Sequence, residues 1–192
     1  CLAVLPPFIN YSLINSMLEM LVIGFEVILI PDYEPLELGK YIKKYRPTII
    51  QSIPAYWEAL LRISNIESTD MSSLRYLYYG GEAMSAETEE EVNYLLRLCG
   101  AKAKLRKGIG STEMMAAATQ TYEDVNMKGS AGIPLICVNQ GIFEPETEAE
   151  VSYSEEGEIC FSGPTLMMGY FDKPEETDEV VKVHSDGKRW LH

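Results

Sequence analysis

Apolar and polar positions follow two alternating periods over the first two-thirds of the chain. Short β-branched or aromatic runs, the pattern of strands buried on both faces, occur at residues 2–5, 27–30, 48–52, 74–79 and 103–109. Segments with helical spacing of apolar residues lie between these runs. Because strands that alternate with helices connect through right-handed βαβ crossovers, the pattern predicts an α/β fold with a largely parallel sheet flanked by helices.

Two of the predicted helices carry clear boundary signals. One has apolar residues at positions 38, 41, 42 and 45, between Pro35 at its start and Pro47 after its end. The other repeats that spacing at positions 92, 95, 96 and 99. Ser85 is placed to cap its first turn, and Gly100 ends it. Local sequence alone therefore fixes where these two helices should lie.

The pattern changes near residue 136. Short runs at 137–140, 150–153 and 158–162 alternate with Gly- and Glu-rich turns, and only 175–181 has helical spacing. Such runs are typical of a small antiparallel β subdomain. We therefore predict an α/β lobe over residues 1–134 and a β-rich subdomain over residues 135–192.

Net charge, the lengths of apolar runs and the cysteine and histidine counts argue against several classes of function. The 192 residues carry a formal net charge of −13, which repels phosphate backbones and anionic lipid and argues against nucleic-acid and membrane-surface roles. No apolar run reaches the roughly 20 residues that a membrane span needs. The four cysteines are far apart and only two histidines are present, so neither a zinc site nor a disulfide framework is indicated, and a cytoplasmic protein is expected.

Two glycine-containing turns follow predicted strands. Gly80-Gly81-Glu82-Ala83-Met84 comes after the fourth strand, and Gly110-Ser111-Thr112-Glu113 comes after the fifth. Glycine lets a backbone approach a base or phosphate, a threonine hydroxyl can donate to a phosphate oxygen, and a carboxylate can hold a divalent cation. Because ligands bind at the carboxyl edge of parallel strands, we predict that both turns converge there on a single nucleotide.

Two simpler explanations compete with this one. Either turn alone could be a glycine helix cap followed by a hydroxyl cap with an acidic first turn. A Rossmann dinucleotide site is the other competitor, but Gly108-x-Gly110-x-x-Glu113 lacks the third glycine and follows the last predicted strand rather than the first.

The joint order of the motifs resembles a known superfamily. After the two turns come Gly157-Glu158-Ile159-Cys160-Phe161-Ser162-Gly163, then Met168-Gly169-Tyr170, and finally Trp190-Leu191-His192. This series is similar to that of the adenylate-forming enzymes, which include acyl-CoA synthetases, peptide-synthetase adenylation domains and luciferases. The resemblance implies that the chain is an internal piece of the large N-terminal domain. It also implies that the β-rich subdomain is part of that domain's β-barrel.

The resemblance implies roles for particular residues. The nucleotide-binding set would be Gly81, Glu82, Ala83, Ile109, Gly110, Ser111 and Thr112. Thr112 matches the threonine that contacts the α-phosphate, and Glu113 matches the glutamate that positions Mg²⁺, so these two would be the catalytic residues. Ile109 replaces an aromatic residue that usually stacks on the adenine.

The acid substrate is expected to be a fatty or aryl carboxylate. Amino-acid activators carry an aspartate just after the aromatic residue of the Leu5-Pro6-Pro7-Phe8 motif, because a buried ammonium needs a carboxylate partner, and Ile9 stands there instead. The predicted pocket is apolar, with walls formed by Phe8, Tyr11, Tyr79 and Met114. The implied activity is that of an acyl-CoA synthetase of fatty acid metabolism, which uses ATP, Mg²⁺ and coenzyme A and releases AMP.

Two alternatives remain open: an adenylation domain that loads a carrier protein, and a nucleotide-binding module that has lost catalysis, with which Ile9 and Ile109 are consistent.

The resemblance also implies parts outside these 192 residues. They are a glycine-rich loop with a lysine and a mobile C-terminal domain with the catalytic lysine. We therefore expect no turnover from this segment alone. His184 is expected at the surface, and Trp190 and His192 are expected to pack structurally.

Overall fold

A five-stranded parallel sheet forms the centre of the first lobe. The computed structural model describes residues 1–192. The strand order is β2-β1-β3-β4-β5, and every neighbouring pair is parallel. The strands are β1 (Leu2–Ala3), β2 (Ile28–Leu29), β3 (Ile49–Ser52), β4 (Tyr76–Tyr79) and β5 (Leu105–Lys107). The predicted α/β fold with a parallel sheet is confirmed, although each strand is shorter than its apolar run.

The chain has five α-helices, four within the parallel-sheet half and one in the β-rich half. A π-helical segment, Ser12–Leu18, continues directly into the first of them. The helices are α1 (Glu19–Val22), α2 (Leu38–Tyr45), α3 (Pro54–Ala59), α4 (Ala86–Leu98) and α5 (Pro174–Val180). The predicted N-cap of α4 is present, because the Ser85 hydroxyl accepts a hydrogen bond from the Thr88 amide at 3.1 Å.

The main hydrophobic core lies on one face of the parallel sheet. Leu38 and Ile42 of α2, Trp57 of α3 and Leu96 of α4 are fully buried there against Leu77 of β4. The indole nitrogen of Trp57 donates to the Tyr78 carbonyl at 3.0 Å, which satisfies its only donor. Side chains alternate along a strand, so the neighbours of these core residues point to the opposite face, which is left open for a cavity.

The second half of the chain contains two antiparallel sheets. A two-stranded sheet pairs β6 (Thr119–Gln120) with β7 (Ile133–Pro134). A four-stranded sheet has the order β10-β11-β9-β8, with β8 at Asn139–Phe143, β9 at Glu158–Ser162, β10 at Val181–Val183 and β11 at Arg189–Leu191. None of the helices combines the length and the apolar character that a bilayer crossing requires.

The strand predicted at residues 150–153 is wrong. Only Glu150 forms an isolated antiparallel bridge, to Phe143, and Tyr153 is fully exposed. The run follows a Glu-rich turn and has no second strand to cover its outer side. Its apolar residues therefore gain too little burial to extend the ladder.

Candidate nucleotide-binding and active site

The two glycine-containing turns converge on one edge of the parallel sheet. Tyr79 and Lys107, the last residues of β4 and β5, are direct partners in the sheet, so the turns that follow them leave it side by side. A cavity of about 360 Å³ lies between them, lined by residues 81–84 of the first turn and residues 108–110 at the start of the second. The third side consists of Gly129, Ser130 and Ala131. The predicted juxtaposition of the turns is present.

A larger cavity adjoins the first. Its volume is about 530 Å³, and it extends over the open face of the sheet. The two cavities share six lining residues: Tyr79, Gly81, Lys107, Gly108, Ile109 and Gly110. Ser111 and Thr112 line only the larger one. The second turn thus forms the boundary between a smaller and a larger compartment.

The glycines of the second turn are required by backbone packing. A Cβ atom on Gly110 would lie 1.6 Å from the carbonyl oxygen of Ala116, and one on Gly108 would lie 2.1 Å from that of Thr119. Three hydrogen bonds to Ile109 hold the returning chain in this position. The Ile109 carbonyl accepts from the amides of Ala118 at 2.8 Å and Thr119 at 3.0 Å, and the Ile109 amide donates to the Thr119 hydroxyl at 2.9 Å. The turn therefore has a fixed shape before any ligand binds.

Ser111 and Thr112 use their side chains differently. The Ser111 hydroxyl caps the short 3₁₀ turn Thr112–Met114 by accepting from the Met114 amide at 3.2 Å. Thr112 is exposed and contributes its backbone carbonyl, which accepts from the Asn10 amide group at 3.3 Å. Its hydroxyl is left available at the cavity, where it can donate to a ligand.

Glu113 lies beside the cavities rather than among their lining residues, and it is anchored to the β-rich half of the chain. Its Oε1 accepts from the Tyr170 hydroxyl at 2.6 Å, and its backbone carbonyl accepts from the Met167 amide at 2.7 Å. The hydrogen bond from Tyr170 lowers the pKa of Glu113 below its usual range and raises that of Tyr170. An ionised carboxylate fits a Mg²⁺ ion, which keeps most of its waters.

The structure departs from the predicted acid pocket at two positions. Tyr11 and Tyr79 line the larger cavity, as predicted. Phe8 is 87% exposed, because the loop that carries it is not covered by a second apolar element. Met114 is fully buried against Ala118 and Phe161, on the inner side of the 3₁₀ turn. Neither residue belongs to the cavity wall.

The remainder of the larger wall was missed in the sequence. It includes alternate residues on the open face of β3 and β4, part of the π-helix and the α1 region, among them Asn15, Met20, Ile23, Phe25, Ile49, Gln51, Tyr76 and Tyr78. The Gln51 side-chain amide donates to the Asn15 carbonyl at 3.1 Å. The period of two along β3 and β4 was the available signal for the sheet residues among them, which bring a glutamine amide and two tyrosines into a mostly apolar wall.

A buried ion pair supports the wall that the two cavities share. Lys107 Nζ lies 2.6 Å from Glu89 Oε2, with side-chain exposures of 15% and 12%. The Tyr79 hydroxyl donates to the same carboxylate oxygen at 2.8 Å. Burial, followed by this hydrogen bond, raises the pKa of Tyr79. The sequence offered no indication of this network beyond an acidic residue near the start of α4.

Comparisons with known proteins agree with this architecture. The model of the family described as AMP-binding enzyme matches residues 1–171. The chain is 33% identical over 194 residues to a long-chain-fatty-acid–CoA ligase of Bacillus subtilis and 30% identical over 180 residues to a probable 4-coumarate–CoA ligase 1 of Dictyostelium discoideum. These alignments cover 99% and 94% of this chain and 32% of each relative. The crystal structure of a long-chain-fatty-acid-CoA ligase from Archaeoglobus fulgidus shares the fold, with a TM-score of 0.86, 22% identity, and coverage of 99% of this chain and 39% of that one.

The parallel sheet, the two converging turns and the match over residues 1–171 define the class of protein: the chain belongs to the AMP-binding enzyme family of adenylate-forming proteins. It spans about a third of the length of the curated relatives that it matches.

Proposed function

We propose that the protein is part of an AMP-forming carboxylic acid:CoA ligase that acts on fatty or aryl acids. The observation that carries this proposal is the pair of adjoining cavities, which share a rim formed by residues 108–110. A reaction that joins a nucleotide to an acid needs two binding sites that meet at the reacting atoms.

The smaller cavity has the features of a nucleotide site. Gly81, Glu82 and Ala83 line one side of it and Ile109 lines another, so a purine can lie between backbone and an aliphatic side chain. Gly81 has a φ of +84°, a conformation that glycine adopts without strain. The α-phosphate would lie in the larger cavity beside Thr112, just past the shared rim formed by residues 108–110.

Thr112 and Glu113, which follow the shared rim in the chain, would act by positioning and by neutralising charge. An acid carboxylate oxygen attacks the α-phosphorus of ATP, the bond to the β-phosphate bridging oxygen breaks, and pyrophosphate leaves. Thr112 would donate its hydroxyl to an α-phosphate oxygen, and Glu113 would hold Mg²⁺, which supplies charge neutralisation at the phosphates. The coenzyme A thiol then displaces AMP from the acyl carbon to give the thioester.

The larger cavity favours an acid without an ammonium group. Its wall combines apolar side chains with tyrosines and three amides, Asn15, Gln51 and Gln120. Glu19 also reaches the cavity, but it is exposed and hydrogen-bonded to Asn15 at 3.1 Å. An exposed carboxylate is not the buried partner that an ammonium requires. The CoA-ligase relatives, named for a long-chain fatty acid and for 4-coumarate, act on acids of the two proposed kinds.

Exchange of radiolabelled pyrophosphate into ATP tests the proposal on the full-length protein. We expect exchange that depends on Mg²⁺ and on a fatty or aryl acid, followed by thioester formation when coenzyme A is added. Preference for an amino acid would overturn the substrate assignment. Transfer to a carrier protein but not to coenzyme A would favour the adenylation-domain alternative. ATP binding with no exchange on any acid would favour a module that has lost catalysis.

Changing Tyr170 to Phe should alter the pH profile of exchange. The Tyr170 hydroxyl stabilises the ionised form of Glu113, so its removal raises the pKa of Glu113 toward the usual range. Glu113 would hold Mg²⁺ in its ionised form. The acidic limb of the activity profile should therefore move to higher pH, while the rate at neutral pH changes little.

Tyr153→Phe is the matched control, because Tyr153 is fully exposed. An acidic limb that stays at the same pH in Tyr170→Phe would show that the Tyr170–Glu113 hydrogen bond does not tune the site.

A further inference from the structure

Three potential metal ligands meet in the β-rich half of the chain. Glu158 and Cys160 are alternate residues of β9, so they lie on the same face of its sheet, and His192 follows β11. His192 Nδ1 lies 3.3 Å from Cys160 Sγ and 3.0 Å from Glu158 Oε2. All three ligand atoms lie within 4.8 Å of one another. One carboxylate, one thiol and one imidazole therefore converge on a common point.

The cluster is enclosed rather than displayed on the surface. Cys160 is fully buried, and the side chain of His192 is 8% exposed. Phe143 and Trp190 pack with Cys160 in a separate small core, with their rings edge to face at 5.2 Å. Glu158 is one-third exposed and leaves one side of the cluster open to solvent. This is an apolar pocket with a single polar opening.

His184 orients the His192 ring. It is 7% exposed, so the expectation of a surface residue is wrong, and its Nε2 lies 2.8 Å from Nε2 of His192. The His192 ring is thereby held at one nitrogen while the other faces Glu158 and Cys160. Histidines that bind metals are commonly fixed in this way by a hydrogen bond at the second ring nitrogen.

We propose that Glu158 Oε2, Cys160 Sγ and His192 Nδ1 form a zinc-binding site, with the fourth tetrahedral position open to water. Mixed sulfur, nitrogen and oxygen ligands suit Zn²⁺ and disfavour Mg²⁺. Bond lengths of about 2.3 Å to sulfur and about 2.0–2.1 Å to nitrogen and oxygen place tetrahedral S and N ligands about 3.6 Å apart, and N and O ligands about 3.4 Å apart. The two separations at His192 Nδ1 are a few tenths of an ångström shorter, so small side-chain movements would admit the ion.

Zinc binding requires the Cys160 thiol to lose its proton. Burial, and then the charge of Glu158, raise the pKa of the Cys160 thiol to about 11, so without a cation this group is neutral. On binding, Zn²⁺ replaces the thiol proton, which passes to solvent. His192 would bind the ion through Nδ1 and keep its hydrogen bond with His184 through Nε2.

The site is separate from the candidate active site but close to it in the fold. Phe161 points to the opposite face of β9 from Cys160 and packs against Met114, directly under the turn that carries Glu113. Zinc would thus hold β9 to the end of β11 on one face of the sheet, while the other face supports the catalytic turn.

Cobalt titration of the full-length protein tests the proposal. After chelator treatment, Co²⁺ should produce a thiolate-to-cobalt charge-transfer band that saturates at about one ion per chain, and Zn²⁺ should remove it. Cys160→Ser should abolish the band. Cys137→Ser is the matched control, because Cys137 is an exposed free thiol, and it should leave the band unchanged.

Two further variants keep the test decisive if Cys160→Ser fails to fold. Glu158→Gln removes a partly exposed ligand and should weaken Zn²⁺ binding at least tenfold. His184→Phe removes only the orienting hydrogen bond and should weaken it about 10–100-fold. The proposal is overturned if the unsubstituted protein gives no charge-transfer band, or if the affinity is unchanged in both variants. It is also overturned if the band depends on Cys137.

Discussion

Replacing Glu113 by Gln should lower the rate of acid-dependent pyrophosphate exchange by about 10²–10³-fold, the usual cost of losing one preorganised group that stabilises transition-state charge. Gln keeps the shape of the side chain and can still accept from the Tyr170 hydroxyl, so the fold should be preserved. It cannot supply the negative charge that Mg²⁺ requires. The measurement is exchange by the full-length enzyme as a function of Mg²⁺ concentration.

Glu175→Gln is the matched control, because Glu175 is an exposed carboxylate in the first turn of α5. Its exchange rate and Mg²⁺ dependence should equal those of the unsubstituted enzyme. If Glu113→Gln also left both unchanged, the metal-positioning role assigned to Glu113 would be wrong.

Replacing Glu89 by Ala should destabilise the protein by about 3–5 kcal/mol, because it leaves the largely buried Lys107 ammonium without its partner. The Tyr79 hydroxyl loses its acceptor in the same step. Since Lys107 and Tyr79 line both cavities, nucleotide and acid affinity should fall together. Urea denaturation monitored by circular dichroism, alongside equilibrium ATP binding, measures the two effects.

The next residue provides the control for this prediction. Glu90 pairs with Lys128 at 3.4 Å, but both side chains are largely exposed, so Glu90→Ala should cost less than about 1 kcal/mol. The double variant Glu89→Ala/Lys107→Met should recover part of the lost stability, because the unpaired charge is gone. Equal effects of Glu89→Ala and Glu90→Ala would contradict the role given to the buried pair.

Local periodicity explains which parts of the fold could be predicted. Helices α2 and α4 and the strands of the parallel sheet carry their signals within a few residues, as apolar spacing, a Ser85 cap and proline boundaries. The run at residues 150–153 carries a similar local signal and still forms no strand. A strand also needs a partner and a covering layer, and neither is encoded locally.

The site was predictable only where a motif follows a strand. The turns after β4 and β5 could be placed on one edge because parallel strands share their carboxyl ends. The Lys107–Glu89 pair joins residues 18 positions apart, and the contact between Cys160 and His192 joins residues 32 positions apart. The scattered cysteines and the two histidines show no metal-ligand spacing along the chain, so the sequence indicated no metal site. Folding brings Glu158, Cys160 and His192 together without any spacing signature.

The central claim is that the turns at residues 80–84 and 110–113 bind a single AMP. A crystal structure of the full-length protein with an acyl sulfamoyl adenosine, a stable mimic of the acyl-adenylate, tests it most directly. The account predicts the adenine between residues 81–83 and Ile109, the sulfamate beside Thr112, and the acyl group in the larger cavity. An adenosine that contacts only one of the two turns, or that binds elsewhere on the molecule, would contradict it.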